Sequence, residues 1–261
     1  MQLKGLSMSF GVQEIFKNIN INIPDNEKVG IVGANGVGKT TLLKVMMKII
    51  EPDQGEVIIK NNARIDWLPQ VINDEVPNMD ITVLDYLLTG RPIEKLNQKL
   101  QELYEKLSQP NIDTNLIFTK IDKVEKELNY WDSYGAESTL LKITAGLKLD
   151  DDLLLKKLGE LSGGQKSKVA FARLLYTAPE IILLDEPTNH LDQNSKEYII
   201  NYLKHYKGTV LIISHDIDFL NQVITKTLFM DKRTKNMTLY DGNYEYFLKT
   251  QSAHEQALLN Q

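Results

Sequence analysis

The sequence predicts an α/β fold with a central, mostly parallel sheet, an antiparallel β portion and a helical portion that carries a two-helix arm. Three observations carry this. Lys28 to Val32, Ile181 to Leu184 and Thr209 to Ile213 are compact apolar runs of strand length, as parallel strands covered on both faces require. Ile19-Asn20-Ile21-Asn22-Ile23 alternates apolar and polar residues, the pattern of an antiparallel strand with one wet face. Between 91 and 131, two apolar series keep the three-and-four spacing of a heptad seam.

Taken in order, Met1 to Ile23 reads as antiparallel strands, and Lys28 to Val32 as a buried strand ending at Gly33. A helix pattern follows from about Lys39 to Ile49, stopped by Pro52 and an expected turn at Asp53-Gln54-Gly55. Strands are expected near Glu56 to Ile59 and Arg64 to Leu68. The first seam is Ile93, Leu96, Leu100, Leu103 and Leu107; the second is Ile117, Ile121, Val124, Leu128 and Trp131, with a break at Ser108 to Asn111. Seams this narrow suggest two antiparallel helices zipped mainly against each other, with ordinary surface helices as the alternative. Beyond them, a helix from Gln165 to Tyr176 is closed by Pro179, and strand, helix and strand in succession imply right-handed parallel crossovers. Thr227 to Met230 and Met237 to Tyr240 read as a closing strand pair. The helical, polar tail from Tyr244 reaches Gln261 without a stop signal, as though it continued. The expected division is a main domain over 1–90 and 132–250, an arm inserted at 91–131, and the start of a linker helix at 251–261.

With 261 residues, 42% apolar and 25% charged, the chain has the composition of an ordinary globular domain. The absence of cysteine excludes disulfides, zinc-thiolate sites and thiol nucleophiles, and fits a cytoplasmic setting. No apolar run approaches the roughly 18 residues of a membrane helix, and Met1-Gln2-Leu3-Lys4 lacks a signal-peptide layout, so direct membrane insertion is not expected. A net charge of −5 argues against a surface that grips nucleic acid all round. In the arm, Arg91, Lys95, Lys99, Lys106, Lys120, Lys123 and Lys126 are equalled by Glu94, Glu102, Glu105, Asp113, Asp122, Glu125 and Glu127, so counting reveals no basic stripe there.

Gly33-Ala34-Asn35-Gly36-Val37-Gly38-Lys39-Thr40 matches the phosphate-binding P-loop, and it lies between a predicted strand and a predicted helix, the context that motif needs. Glycines let successive N–H groups turn toward phosphate oxygens while the helix start adds its positive end. Lys39 is expected to reach the β- and γ-phosphates of a nucleotide, and the Thr40 hydroxyl to hold Mg²⁺. Asp185-Glu186 follows a buried strand, which sets both carboxylates at the carboxyl edge of the sheet. Asp185 is placed to hold the metal's hydration shell, and Glu186 to orient and polarise an attacking water. Thr119-Lys120-Ile121-Asp122 looks like a guanine-reading motif, but it falls inside the heptad pattern and is set aside.

Leu161-Ser162-Gly163-Gly164-Gln165 resembles the signature of ATP-binding-cassette (ABC) ATPases, and Asp185-Glu186-Pro187-Thr188-Asn189-His190-Leu191-Asp192 resembles their Walker-B and D-loop segment. P-loop, Gln70, signature, Asp185-Glu186 and Ser214-His215-Asp216 also follow in that family's order. The resemblance implies a P-loop NTPase fold of the ABC nucleotide-binding type, with an antiparallel β subdomain and a helical subdomain. It also implies roles. Gln70 would touch Mg²⁺ and the water, His215 would face the γ-phosphate, Phe10 would stack on adenine, and Thr41 would join the phosphate cradle. Ser162, Gly163, Gly164 and Gln165, with Asp192, would complete a nucleotide site shared with a second cassette, in the same full-length chain or in a homodimer. Asn189-His190, the exit Asp241-Gly242-Asn243-Tyr244 and the position of the arm resemble the soluble ABC-F branch. Partners would then be ribosomal RNA and ribosomal protein, in a translation factor or an antibiotic-resistance protein. The alternative is the energy module of a membrane transporter, with a permease as partner. Lys168 departs from the arginine common in relatives, and a single cassette stands where the branch has two.

Overall fold

The computed structural model describes residues 1–60, 63–68, 79–110, 113–189 and 191–259. The chain runs β1 (Gln2–Phe10), β2 (Gln13–Asn22), β3 (Lys28–Gly33), α1 (Lys39–Met46), β4 (Gln54–Ile58), β5 (Ile65–Leu68), α2 (Val83–Leu88), α3 (Ile93–Leu107), α4 (Thr114–Tyr130), α5 (Ala136–Gly146), α6 (Asp151–Leu155), α7 (Gly163–Thr177), β6 (Ile181–Asp185), α8 (Gln193–His205), β7 (Thr209–Ile213), α9 (Ile217–Val223), β8 (Lys226–Met230), β9 (Met237–Asp241) and α10 (Tyr244–Leu259). These elements divide into two units, Met1–Glu75 with Pro179–Gln261, and Val76–Ala178.

The first unit holds both sheets. The larger has the order β5-β6-β7-β3-β8-β9, parallel except for β9. Every residue of β6 and β7 is buried, the outcome that uninterrupted apolar runs impose on strands with both faces covered. The smaller sheet, β2-β1-β4, is antiparallel. Leu6, Phe16, Ile31, Leu43, Leu183 and Leu228 belong to one core cluster that joins the two sheets to α1.

Two boundaries differ from the sequence expectation. Helix α1 stops at Met46 rather than Ile49, because Lys48 turns left-handed at φ 58° and ends the helical run. The turn expected at Asp53-Gln54-Gly55 is instead the start of β4, pressed against β1. A Cβ on Gly55 would lie 2.4 Å from the Gly5 carbonyl, so the glycine marks close strand approach rather than a reversal.

The second unit is helical. Helices α3 and α4 enclose their own cluster of Leu96, Leu103, Ile117, Ile121, Val124 and Leu128. Asp113 caps α4 by accepting from the Leu116 N–H at 3.2 Å. The Tyr104 hydroxyl donates to Glu125 Oε1 at 3.1 Å. Tyr104 follows the seam residue Leu103 and Glu125 follows Val124, so residues that follow seam positions line one edge of the pair and residues that precede them line the other. The preceding edge carries Lys95, Lys99, Lys106, Lys120 and Lys123 against Glu102 and Glu127. The following edge carries Glu94, Asp122 and Glu125 and no cation. Equal totals therefore conceal opposite edges.

At the foot of this pair, buried Arg91 donates from Nε to the Tyr176 carbonyl at 2.7 Å and from Nη1 to the Trp131 carbonyl at 2.9 Å. Its guanidinium lies 4.6 Å from the Tyr176 ring centroid. The ends of α4 and α7 are thus tied together. Among the described residues, no helix is long and apolar enough to cross a membrane.

Candidate functional site

Strand β3 ends at Gly33, and α1 begins at Lys39 without any side-chain cap on its first turn. Its leading N–H groups are therefore left for an outside acceptor. Gly38, the residue before the helix, sits at φ 106°, and a Cβ there would lie 2.3 Å from Ile15 Cγ2. Only glycine fits that position. The Lys39 ammonium curls over the loop and donates to the carbonyls of Gly33 at 2.9 Å and Ala34 at 3.3 Å. Burial lowers its pKa, against the opposing pull of Glu186 and Asp185.

Parallel pairing of β6 with β7 sets Asp185 opposite Ile213, which brings Glu186 beside His215 just past the strand ends. The Asp185 carboxylate, 2% exposed, accepts from Thr40 Oγ1 at 2.7 Å. Glu186 is left-handed at φ 53°, and its N–H donates to the Ile213 carbonyl at 2.8 Å. Its Oε2 accepts from the His215 N–H at 3.2 Å, while buried Oε1 has no hydrogen-bond partner and lies 3.5 Å from His215 Nε2. Burial raises the pKa of both carboxyl groups; the Thr40 hydroxyl opposes this at Asp185, and the His215 N–H opposes it at Glu186.

Phe10, Asn35, Gly36, Gly38, Lys39, Thr40, Thr41, Asp185, Glu186 and His215 line one cavity of about 500 Å³. These ten sequence-derived residues of the first unit thus converge, with Phe10 half-exposed at the wall and Gly33 beside them through its carbonyl. Sequence reading missed Gln13, Ile15 and Ile213 in the lining. Ile15 belongs to an ordinary alternating strand and Ile213 to an ordinary apolar one, so neither carried a signal. Asp192 caps α8 instead of lining the cavity, accepting from the Ser195 N–H at 3.0 Å and the Ser195 hydroxyl at 2.9 Å. Gln70 and His190 lie outside the described residues.

In the helical unit, Ser162 and Gln165 form a capping box at the start of α7. The Ser162 N–H donates to Gln165 Oε1 at 3.0 Å, and the Gln165 N–H donates to Ser162 Oγ at 3.3 Å. Gly163 and Gly164 form the first turn, and a Cβ on Gly163 would meet nothing within 4 Å.

The cavity fits a nucleoside triphosphate with Mg²⁺. A glycine-lined loop with uncapped N–H groups suits phosphate, the Thr40 hydroxyl and Asp185 carboxylate are hard oxygen donors 2.7 Å apart, and a buried carboxylate oxygen at the wall lacks a partner. Comparison with known proteins agrees. A family model described as ABC transporter matches residues 16–189. The uncharacterized ABC transporter ATP-binding protein YfmM of Bacillus subtilis is 34% identical over 260 residues, which cover 99% of this chain and 49% of that one. The ATP-binding protein Uup of Escherichia coli is 31% identical over 250 residues, 95% of this chain and 38% of its own. The chain therefore spans about half the length, or less, of these relatives. A solved dimeric ATP-binding cassette in a post-hydrolysis state, bound to ADP and Pi, superposes with a TM-score of 0.63 over 92% of this chain and 97% of that chain. At 23% identity this likeness speaks for the fold alone. Motif order, cavity and family match agree, and the chain belongs to the ABC transporter family as one of its ATP-binding cassettes.

Proposed function

We propose that this cassette hydrolyses ATP with Mg²⁺, that it does so in partnership with a second cassette, and that the turnover serves the ribosome in the manner of the ABC-F branch. The observation that carries hydrolysis is Glu186 Oε1, a buried carboxylate oxygen without a hydrogen-bond partner in the wall of the phosphate cavity, 3.5 Å from His215 Nε2. A water set there would donate a proton to Glu186, whose raised pKa suits a general base, as its oxygen bonds to the γ-phosphorus and the bond to the ADP leaving group breaks. Lys39 releases the loop carbonyls to reach phosphate, and His215 and Gln70 orient the γ-phosphate and the water. Thr40 and Asp185, with Gln70 by family pattern, would hold Mg²⁺, which would neutralise charge on the phosphates. Phe10 offers a ring face to the base, and Asn35, Gly36, Thr41 and the neighbouring amides hold the phosphate tail.

Pairing rests on the start of α7. Ser162, Gly163 and Gly164, with Gln165, form a second anion-receiving helix start that, by family pattern, faces a partner's nucleotide, and the same pattern gives Asp192 of the first unit a part in the shared site. The ABC-F reading rests on Asn189-His190, on Asp241-Gly242-Asn243-Tyr244 leading into α10, and on the α3–α4 pair as an arm. The sorted edges of that pair add to it, because the lysine edge suits phosphate-rich RNA in a way that the residue totals hide. A cytoplasmic location and the division into a main domain, an arm at 91–131 and a linker from 251 belong to the same proposal.

The test is co-sedimentation of the full-length Glu186→Gln protein with ribosomes at rising salt. ATP-dependent pelleting supports the reading. Absence of any ATP-dependent association, or ATP-dependent capture by membranes carrying a permease instead, overturns the ribosome assignment.

A further inference from the structure

Two loops leave the carboxyl edge of the sheet and carry the chemistry, one after β6 with Glu186 and one after β7 with His215. They touch inside the cavity through the His215 N–H and Glu186 Oε2. The His215 imidazole itself is 70% exposed, so packing does not fix it. Its place depends on the backbone that carries it.

An ion pair ties that backbone to a neighbouring helix. Lys196, in the first turn of α8, donates from Nζ to Asp216 Oδ2 at 2.5 Å, and both side chains are largely covered, 21% and 26% exposed. Asp216 is the residue after His215. Its other oxygen accepts from the Phe219 N–H at 3.0 Å and so caps α9, and its own N–H donates to Ser214 Oγ at 3.1 Å. On the other side, α8 is anchored by Asp192, whose side chain accepts from Ser195 and whose carbonyl accepts from the Lys196 N–H at 3.0 Å. A single lysine therefore joins the helix that ends the Glu186 loop to the loop that bears His215. Among the described residues, no other cation forms an ion pair with Asp216.

We infer that Lys196 is a positioning residue for ATP hydrolysis: by clamping the start of α8 to Asp216, it holds His215 in register with Glu186. This rests on the hydrolysis proposed above. Lys196 lines no part of the cavity, so its loss leaves nucleotide binding intact and slackens only the geometry of the reacting groups.

The experiment measures steady-state ATP turnover by the full-length protein. Lys196→Met keeps the aliphatic stem, and kcat is expected to fall about tenfold while the KM for ATP stays within about twofold. Lys196→Arg keeps the charge and is expected to restore most of kcat. Asp216→Asn preserves a good helix cap and removes only the ion pair, so it is expected to match Lys196→Met. The double variant is expected to be no slower than either single one, as for two groups acting as a unit. Unchanged kcat in Lys196→Met, a matching loss of ATP affinity, or additive effects in the double variant each overturn the inference. Wild-type turnover no faster than that of Glu186→Gln removes the hydrolysis reading and this inference with it. Normal wild-type turnover with an undiminished Lys196→Met removes this inference alone.

Discussion

Replacing Arg91 by Met isolates the tie at the foot of the α3–α4 pair. The aliphatic stem survives and the guanidinium is lost. Two charge-assisted hydrogen bonds vanish, to the carbonyls of Tyr176 and Trp131 at 2.7 and 2.9 Å, together with the stacking on the Tyr176 ring. Hydrogen bonds to charged groups contribute about 1.5–3 kcal/mol each, and a cation over an aromatic ring about 0.5–2 kcal/mol. Water can reach part of the space left behind, so a net loss of about 3 kcal/mol is the reasonable expectation. At about 1.4 kcal/mol per factor of ten, local opening at the ends of α4 and α7 should become roughly a hundredfold more frequent. Arg91→Lys keeps the charge but cannot fork to both carbonyls, and it should recover about half of the difference. Hydrogen exchange reads this directly, at the Trp131 and Ala178 amides, which bond back to Glu127 and Leu174. Exchange there within about threefold of wild type would show that the fork carries no such energy.

Glu186→Gln should keep ATP affinity and lose turnover by about a hundredfold or more, read by equilibrium binding beside phosphate release. Gly38→Ala forces a Cβ into Ile15 at a left-handed backbone position, so both the melting temperature and the affinity for a fluorescent ATP analogue should fall. Ser162→Ala breaks the capping box and should cost about 1 kcal/mol of stability in urea denaturation, with a loss of kcat in the paired protein. The Asp216 carboxyl is held below its ordinary value: burial works against this, but the hydrogen bonds from Lys196 and from the Phe219 N–H outweigh it. Its stabilisation is therefore fully present above the ordinary aspartate value of about 4 and disappears as the pH falls through the lowered folded value. Melting curves of Lys196→Met across that acid range should show a smaller acid-side loss than wild type.

The parallel strands and the phosphate loop were legible because burial on both faces and a backbone cradle each demand residue types that nothing else in a soluble chain requires. Ile181 to Leu184 could hardly be anything but an interior strand, and β6 is one. Helices α8 and α9 escaped notice for opposite reasons. In α8 the buried Ile199, Ile200 and Leu203 come late, after a polar opening turn, and α9 at seven residues is too short to show a period. The opposite edges of the α3–α4 pair were invisible to a count of charges, since an edge exists only once Tyr104 and Glu125 show which flanks adjoin. The pair Lys196–Asp216 joins separate elements, and no local pattern announces such a contact.

The left-handed backbone of Glu186 carries one more consequence. A glycine would adopt φ 53° without strain, and it would also remove a buried carboxylate oxygen that lacks a partner. Here the protein holds a residue that its own folding disfavours twice over. Glu186→Gly should accordingly melt at a higher temperature than the natural chain while losing its turnover, so robustness and catalysis pull in opposite directions at a single residue.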